Sequence, residues 1–152
     1  MAPERKVSTV IFAALRCALA VLFLYAGIVK AFHPIPFVVA LENYRLFSKP
    51  AALAAAIYIP WVEILCGTAL VFRNWRLAGW ILSGILSSGF LFFVGSARWR
   101  GLDIACGCFG QGSRSDLNSW SVLWAMALVT LALVGTLHEF CLVRESHQER
   151  AI

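Results

Sequence analysis

The fold is decided by residues 51–95, which read AALAAAIYIPWVEILCGTALVF-RNWR-LAGWILSGILSSGFLFFVG. Its two apolar runs, Ala51–Phe72 and Leu77–Gly95, each have about the 20 residues that a helix needs to cross a bilayer. Only the polar tetrapeptide Arg73–Arg76 separates them, and four residues are just enough to form a tight turn between two helices. The stretch therefore predicts an antiparallel pair of membrane-spanning helices.

Two further apolar runs flank this hairpin, Ser8–Ala31 before it and Trp120–Cys141 after it. The first is longer than the apolar region of a secretory signal and contains Arg16, so we interpret it as a retained span. Hydrophobic residues make up 61% of the 152 residues and charged residues only 14%, whereas soluble domains are about one quarter charged. We predict an all-α fold, an integral membrane four-helix bundle that forms a single domain over residues 1–152.

The loop between the first two spans, Phe32–Pro50, is predicted to contain a short amphipathic helix. Its apolar side chains fall near one helical face, which suits a helix that lies in the membrane interface or dips back into the bundle. These side chains are Phe37, Leu41, Tyr44 and Phe47. The candidate loop contacts are Asn43 and Tyr44 here and Arg98 and Arg100 in the loop before the last span.

The net charge of +5 comes from basic residues that stand singly or in pairs between apolar runs. This pattern suits lipid headgroups and contains no basic stripe of the kind that nucleic-acid binding needs, so we expect a lipid partner and no nucleic acid. Four spans place both termini on one membrane face and loops one and three on the other. The positive-inside rule favours cytoplasmic termini by a narrow margin, which predicts an extracytoplasmic third loop.

That third loop contains the most reactive pattern of the sequence, Cys106-Gly107-Cys108. Glycine allows the bend that a disulfide between such close cysteines requires, and the strained ring would be easy to reduce. Closing so small a loop stabilises a fold little, so a structural staple is disfavoured. We predict a redox-active dithiol, in which Arg98 and Arg100 stabilise a thiolate if they fold close to it.

Two other interpretations of these cysteines stay open. A pair of thiolates can hold Cu(I) or Hg(II) in linear geometry, whereas zinc normally requires four ligands, so we assign no resident metal site. The pair can also be structural or incidental. The remaining cysteines, Cys17, Cys66 and Cys141, lie in or at the ends of apolar segments, where cysteine usually behaves as a small hydrophobic residue.

Glu63 is an ionisable residue in the middle of the second span, three residues after Pro60. A charge at this depth costs several kcal/mol unless it is paired, protonated or hydrated. Counting about 1.5 Å per residue from the outer ends of the spans puts Glu63 about 18 Å deep and Arg16 about 22 Å deep. We therefore predict an Arg16–Glu63 pair, with Lys30 as the alternative partner, and either a structural or a proton- or quinone-linked role.

Several of these residues belong to one pattern of motifs with a fixed order along the chain. It consists of Tyr25-Ala-Gly-Ile-Val-Lys30, Asn43-Tyr-Arg-Leu46, Pro60-Trp-Val-Glu63 with Gly67, and Cys106-Gly-Cys-Phe-Gly110. From about Arg16 to His138, the chain resembles the MauE/DoxX family of redox-associated membrane proteins, which are four-helix bundles. It differs in the first loop, where the family's Tyr-Arg-Leu-Leu-Pro run stands as Tyr44-Arg-Leu-Phe-Ser48.

The resemblance implies a bacterial inner-membrane protein. MauE-like members help to mature a periplasmic, disulfide-rich dehydrogenase subunit in methylamine utilisation, alongside a thioredoxin-like partner, and DoxX-like members are linked to quinones. Our leading hypothesis is a membrane-embedded thiol–disulfide relay in which Cys106 and Cys108 exchange with such a partner. The second electron carrier would be Cys17, Cys66, a quinone or another protein. The alternatives are a non-enzymatic assembly factor, a DoxX-like quinone-linked subunit and a soft-metal transport protein.

Overall fold

A computed structural model describes residues 3–46, 48–101 and 119–149, and the elements in these ranges are helices. They are α1 (Pro3–Phe32), α2 (Pro34–Asn43), α3 (Lys49–Val71), a single 3-10 turn (Arg73–Trp75), α4 (Arg76–Trp99) and α5 (Ser119–Glu149). Phe47 and the segment 102–118, which contains Cys106 and Cys108, lie outside the described residues.

Four of these helices are long and apolar enough to cross a membrane, which confirms the predicted fold class. The candidate spans are Thr9–Phe32, Lys49–Val71, Arg73–Trp99 and Val122–Arg144. Large apolar side chains on their outward faces are exposed, among them Ile85, Phe92, Leu133 and Leu137. An apolar surface of this extent suits contact with lipid, because each helix satisfies its own backbone hydrogen bonds.

Helices α1 and α3 pack closely because each has a glycine at the contact. A Cβ atom on Gly27 would lie 2.8 Å from the Pro60 carbonyl oxygen, and one on Gly67 would lie 2.9 Å from the Ala20 carbonyl oxygen. Small residues let two backbones approach in lipid, where no hydrophobic effect holds helices together. These contacts also fix the register: Gly27 lies opposite Pro60–Ile64, and Ala20 lies opposite Gly67.

Helices α3 and α4 form the predicted hairpin around the Arg73–Trp75 turn. A Cβ atom on Gly79 would lie 2.7 Å from the Leu70 nitrogen, so the two helices are in close contact directly after the turn. The next residues of the same face, Ser83 and Ser87, are buried inside the bundle. The core beside this contact is formed by buried residues of α1, α3 and α4: Leu19, Ala20, Phe23, Cys66, Leu70 and Trp80.

Helix α2 packs against the first turns of α3. Leu41 forms a small buried cluster with Ala52 and Ala56, while Ile35 and Val39 on other faces of α2 are exposed. Helix α2 therefore covers the part of α3 that extends beyond the end of α1.

Candidate functional site

The candidate site lies at the end of the bundle where α2 sits and where the segment 102–118 begins and ends. Cys106 and Cys108 themselves are outside the described residues. The described part of the site consists of a buried ion pair between α1 and α3 and a rim of residues from α2, α4 and α5.

Lys30 of α1 and Glu63 of α3 form the ion pair, with Nζ of Lys30 donating to Oε1 of Glu63. Each residue is only 8% exposed. The Lys30 ammonium also lies 5.0 Å from the centroid of the Phe37 ring, a cation–π contact that brings α2 over the pair. Glu63 Oε2 is buried and accepts no hydrogen bond from any described residue.

The predicted Arg16–Glu63 pair is wrong, and the alternative partner, Lys30, is correct. Glu63 lies beside Gly27, because a Cβ atom on Gly27 would be 3.1 Å from the Glu63 Cβ. Arg16 lies eleven residues from Gly27, which is about 16 Å along the helix axis. The depth count assumed that α1 and α3 end at the same level, whereas the first turns of α3 extend past α1 to meet α2.

Arg16 instead pairs with a residue that sequence analysis missed. Its Nη1 lies 4.0 Å from Oε1 of Glu139 in α5, and next to this pair the rings of Phe12 and His138 stack with centroids 3.9 Å apart. Glu139 lies within the last apolar segment, and an acidic residue at that position is the sequence signal that could have identified it.

The rim brings together two of the four candidate loop contacts. Nη1 of Arg100 donates a hydrogen bond to the Tyr44 carbonyl oxygen at 3.0 Å, which ties the end of α4 to the end of α2. Asn43 and Arg98 are exposed. Arg45, the residue after Tyr44, has a φ of +52°, and this left-handed backbone ends α2.

The Tyr44 side chain lies in a buried cluster with Val94 and Ala97 of α4, and Val122 of α5 packs against it. We call this group the rim cluster. It joins the end of α2, the end of α4 and the start of α5. Gly101 and Ser119, the described residues on either side of the segment 102–118, each lie within four positions of a member of this cluster in the chain.

The other cysteines differ in their surroundings. Cys66 is fully buried, and its Sγ donates to the Gly79 carbonyl oxygen at 3.7 Å, so it acts as a core residue between α3 and α4. Cys17 and Cys141 are exposed, and all three of these thiols are free. Within the described ranges, no group of three or more His, Cys, Asp or Glu residues could hold a metal ion.

A quinone cofactor stays a prediction. The unpartnered Glu63 Oε2 is an acceptor that suits the hydroxyl of a hydroquinone. This oxygen is buried, however, so a ring could reach it only if α1 and α3 moved apart.

Comparison with known proteins gives the family. The sequence model described as "Methylamine utilisation protein MauE" matches residues 8–138. The chain is also 30% identical over 121 residues to the methylamine utilization protein MauE of Paracoccus denitrificans. That match covers 79% of this chain and 65% of the relative, just under two thirds of its length. No solved structure matches the chain.

The matched range includes the first three spans, most of the fourth, the Lys30–Glu63 pair and the cysteine motif. A family model that covers this much of a chain establishes membership. The chain therefore belongs to the MauE family.

Proposed function

We propose that this protein serves methylamine utilisation as a membrane-embedded thiol–disulfide relay, in which Cys106 and Cys108 exchange with an extracytoplasmic thioredoxin-like protein. Family membership supports the pathway, since the matched relative is named for methylamine utilization. The cysteine spacing supports the chemistry, because a strained disulfide between such close cysteines is easily reduced.

The structural observation that supports the relay is the position of the rim cluster. Gly101 and Ser119, which flank the segment 102–118, each lie within four positions of a member of this packed group, in which Tyr44, Val94 and Ala97 are buried. This position supports a site at one end of the bundle, which a partner outside the membrane would approach. Helix α2, with the exposed Asn43 at its end, would form the rest of the docking surface.

The exchange conserves atoms and electrons. A thiolate of the reduced partner attacks one sulfur of the Cys106–Cys108 disulfide, forming a mixed disulfide and releasing the other sulfur as a thiolate that takes up a proton. The second partner thiolate then attacks the mixed disulfide. The partner leaves as a disulfide, having lost two electrons and two protons, and Cys106 and Cys108 become thiols. The reverse sequence oxidises the pair.

The test is thiol trapping in a variant whose only cysteines are Cys106 and Cys108, with Cys17, Cys66 and Cys141 changed to Ala. In cells that use methylamine, we expect this pair to be found in both oxidised and reduced forms. The further changes Cys106→Ser and Cys108→Ser, made separately, should trap a mixed disulfide with a thioredoxin-like protein in at least one case. Mass spectrometry of the trapped species identifies the partner.

The alternatives predict different results in the same experiment. A non-enzymatic assembly factor would support growth on methylamine with both cysteines changed to Ser. A soft-metal carrier would bind Cu(I) tightly and lose it in the double Ser variant, with no mixed disulfide formed. Either result would contradict the relay.

A further inference from the structure

A second charged cluster lies at the opposite end of the bundle from the Lys30–Glu63 pair. It is centred on the Arg16–Glu139 contact, where Nη1 and Oε1 are 4.0 Å apart. Arg76, the first residue of α4, interacts electrostatically with both of these residues and with Arg73. We call Arg16, Arg73, Arg76 and Glu139 the arginine cluster.

The charges of this cluster do not balance. Among the side chains that the structure describes, Arg76 interacts with two other guanidinium groups, those of Arg16 and Arg73, and with one carboxylate, that of Glu139. The Nε atoms of Arg16 and Arg76 are buried and have no hydrogen-bond partner there. The Arg16 side chain is only 13% accessible, so water solvates it poorly. Uncompensated cations are costly inside a membrane, and an anion would lower this cost.

The depth of the cluster indicates where the anion comes from. Gly67 of α3 packs against Ala20 of α1, and the two helices run antiparallel. Arg16, one turn before Ala20, therefore lies level with Val71, which is one turn after Gly67 and is the last residue of α3. The adjacent Arg73 is exposed in the turn that joins α3 to α4. The cluster therefore lies level with the turn between the spans of α3 and α4, whereas the spans of α1 and α5 continue past it to Thr9 and Arg144. A lipid phosphate would reach the cluster from the side of this turn.

We infer that the arginine cluster binds the phosphate group of an anionic lipid. Guanidinium groups bind phosphate through paired hydrogen bonds, and basic pockets between membrane helices bind lipid head groups in this way. Arg16 and Arg76 supply donors from α1 and α4, and Arg73 approaches from the turn. Glu139, 4.0 Å from Arg16, competes with the phosphate for this guanidinium group.

A simple clasp between α1 and α5 is the competing explanation, and the Phe12–His138 stack beside the cluster is consistent with it. The two explanations differ in what Glu139→Gln does. A clasp loses its only carboxylate and is weakened in every lipid. A phosphate site loses its competitor and binds anionic lipid more tightly.

The experiment measures lipid retention and thermal unfolding of the purified full chain. Native mass spectrometry counts phosphatidylglycerol and phosphatidylcholine molecules retained after detergent exchange. Unfolding is followed in nanodiscs made of either lipid. We expect wild type to retain phosphatidylglycerol preferentially, Arg76→Gln to weaken this retention about fivefold, and Glu139→Gln to strengthen it. Arg16→Lys, which keeps the positive charge, should weaken retention because the paired hydrogen bonds are lost.

Arg144→Gln is the matched control, because it removes one positive charge from the same face at an exposed residue outside the cluster. Equal loss in Arg144→Gln and Arg76→Gln would overturn the inference, since the effect would then be general surface charge. Weaker retention in Glu139→Gln would overturn it in favour of the clasp. Inorganic phosphate is also added to each protein in detergent, and thermal unfolding is measured. If phosphate stabilises wild type but not Arg76→Gln, this supports the site and shows that free phosphate is a second source of the anion.

Discussion

The Lys30 ammonium and the Glu63 carboxylate meet between α1 and α3, although 33 positions separate them in the chain. The accessible fractions of the two side chains are 9% and 10%, so each charge depends on the other for solvation. Phe37 covers the lysine and one carboxylate oxygen stays unpartnered among the described residues. The pair links α1, α2 and α3 near the end of the bundle at which α2 packs against α3.

The first prediction concerns this pair. Lys30→Met leaves the Glu63 carboxylate buried without its partner, and we expect the free energy of unfolding to fall by about 3–5 kcal/mol. The reason is that the apolar surroundings cannot replace the lysine as a source of charge or hydrogen bonds. Unfolding by sodium dodecyl sulfate in mixed micelles, followed by circular dichroism, measures this change.

The control is the double variant Lys30→Met/Glu63→Leu, in which no charge remains. Replacing a buried ion pair by apolar residues of similar size is often neutral, so most of the lost stability should return. A double variant as unstable as Lys30→Met would show that packing, rather than charge pairing, accounts for the loss. If activity stays low while stability returns, the pair has a further role in function.

The second prediction tests the close contact of α1 and α3. In Gly27→Leu the new side chain meets the Pro60 carbonyl oxygen, which lies 2.8 Å from the position of its Cβ, and Ile64 behind it. The helices must separate, and we expect a loss of about 1–3 kcal/mol, the usual result of overpacking. The same unfolding experiment measures it.

Gly89 provides the matched control for Gly27. It lies inside α4, and a Cβ atom there would meet nothing within 4 Å. Gly89→Leu should therefore be neutral or slightly stabilising, since leucine favours helix more than glycine does. Equal losses at the two positions would contradict the close contact at Gly27.

Sequence alone predicts the four spans, the tight turn and the short helix, because each depends on local composition and length. The hairpin of residues 51–95 is the clearest case. The partner of Glu63 could not be predicted in the same way, because the relative depth of α1 and α3 depends on how the two helices pack. The contacts of Gly27 with Pro60 and of Gly67 with Ala20 fix that depth, and both are tertiary. The redox role of Cys106 and Cys108 stays a prediction, since they lie outside the described residues.

The third prediction concerns thiol reactivity in the bundle. Cys66 is fully buried between α3 and α4, whereas Cys141 is exposed. A membrane-permeant maleimide should modify Cys141 in the folded protein and should modify Cys66 only after denaturation. Mass spectrometry of digests from variants with a single cysteine measures both reactions. Rapid modification of folded Cys66 would contradict its burial and would reopen a role for this thiol in electron transfer.

The last prediction tests the hydrogen bond that ties α4 to α2. Arg100→Gln cannot maintain the contact of Nη1 with the Tyr44 carbonyl oxygen. A hydrogen bond from a charged group contributes about 1.5–3 kcal/mol, so the end of α2 should open more often and its amides should exchange at least about tenfold faster. The Arg45 amide, which donates to the Glu42 carbonyl oxygen, is the most direct reporter.

Lys49→Gln removes a positive charge from the same end of the bundle, at an exposed residue outside the rim cluster, and should leave this exchange unchanged. Because Arg100 directly precedes Gly101, where the cysteine segment begins, Arg100→Gln should also slow formation of the mixed disulfide. Faster amide exchange with an unchanged rate of mixed-disulfide formation would show that α2 takes no part in docking. Unchanged exchange would show that the Arg100–Tyr44 contact does not hold the two helix ends together.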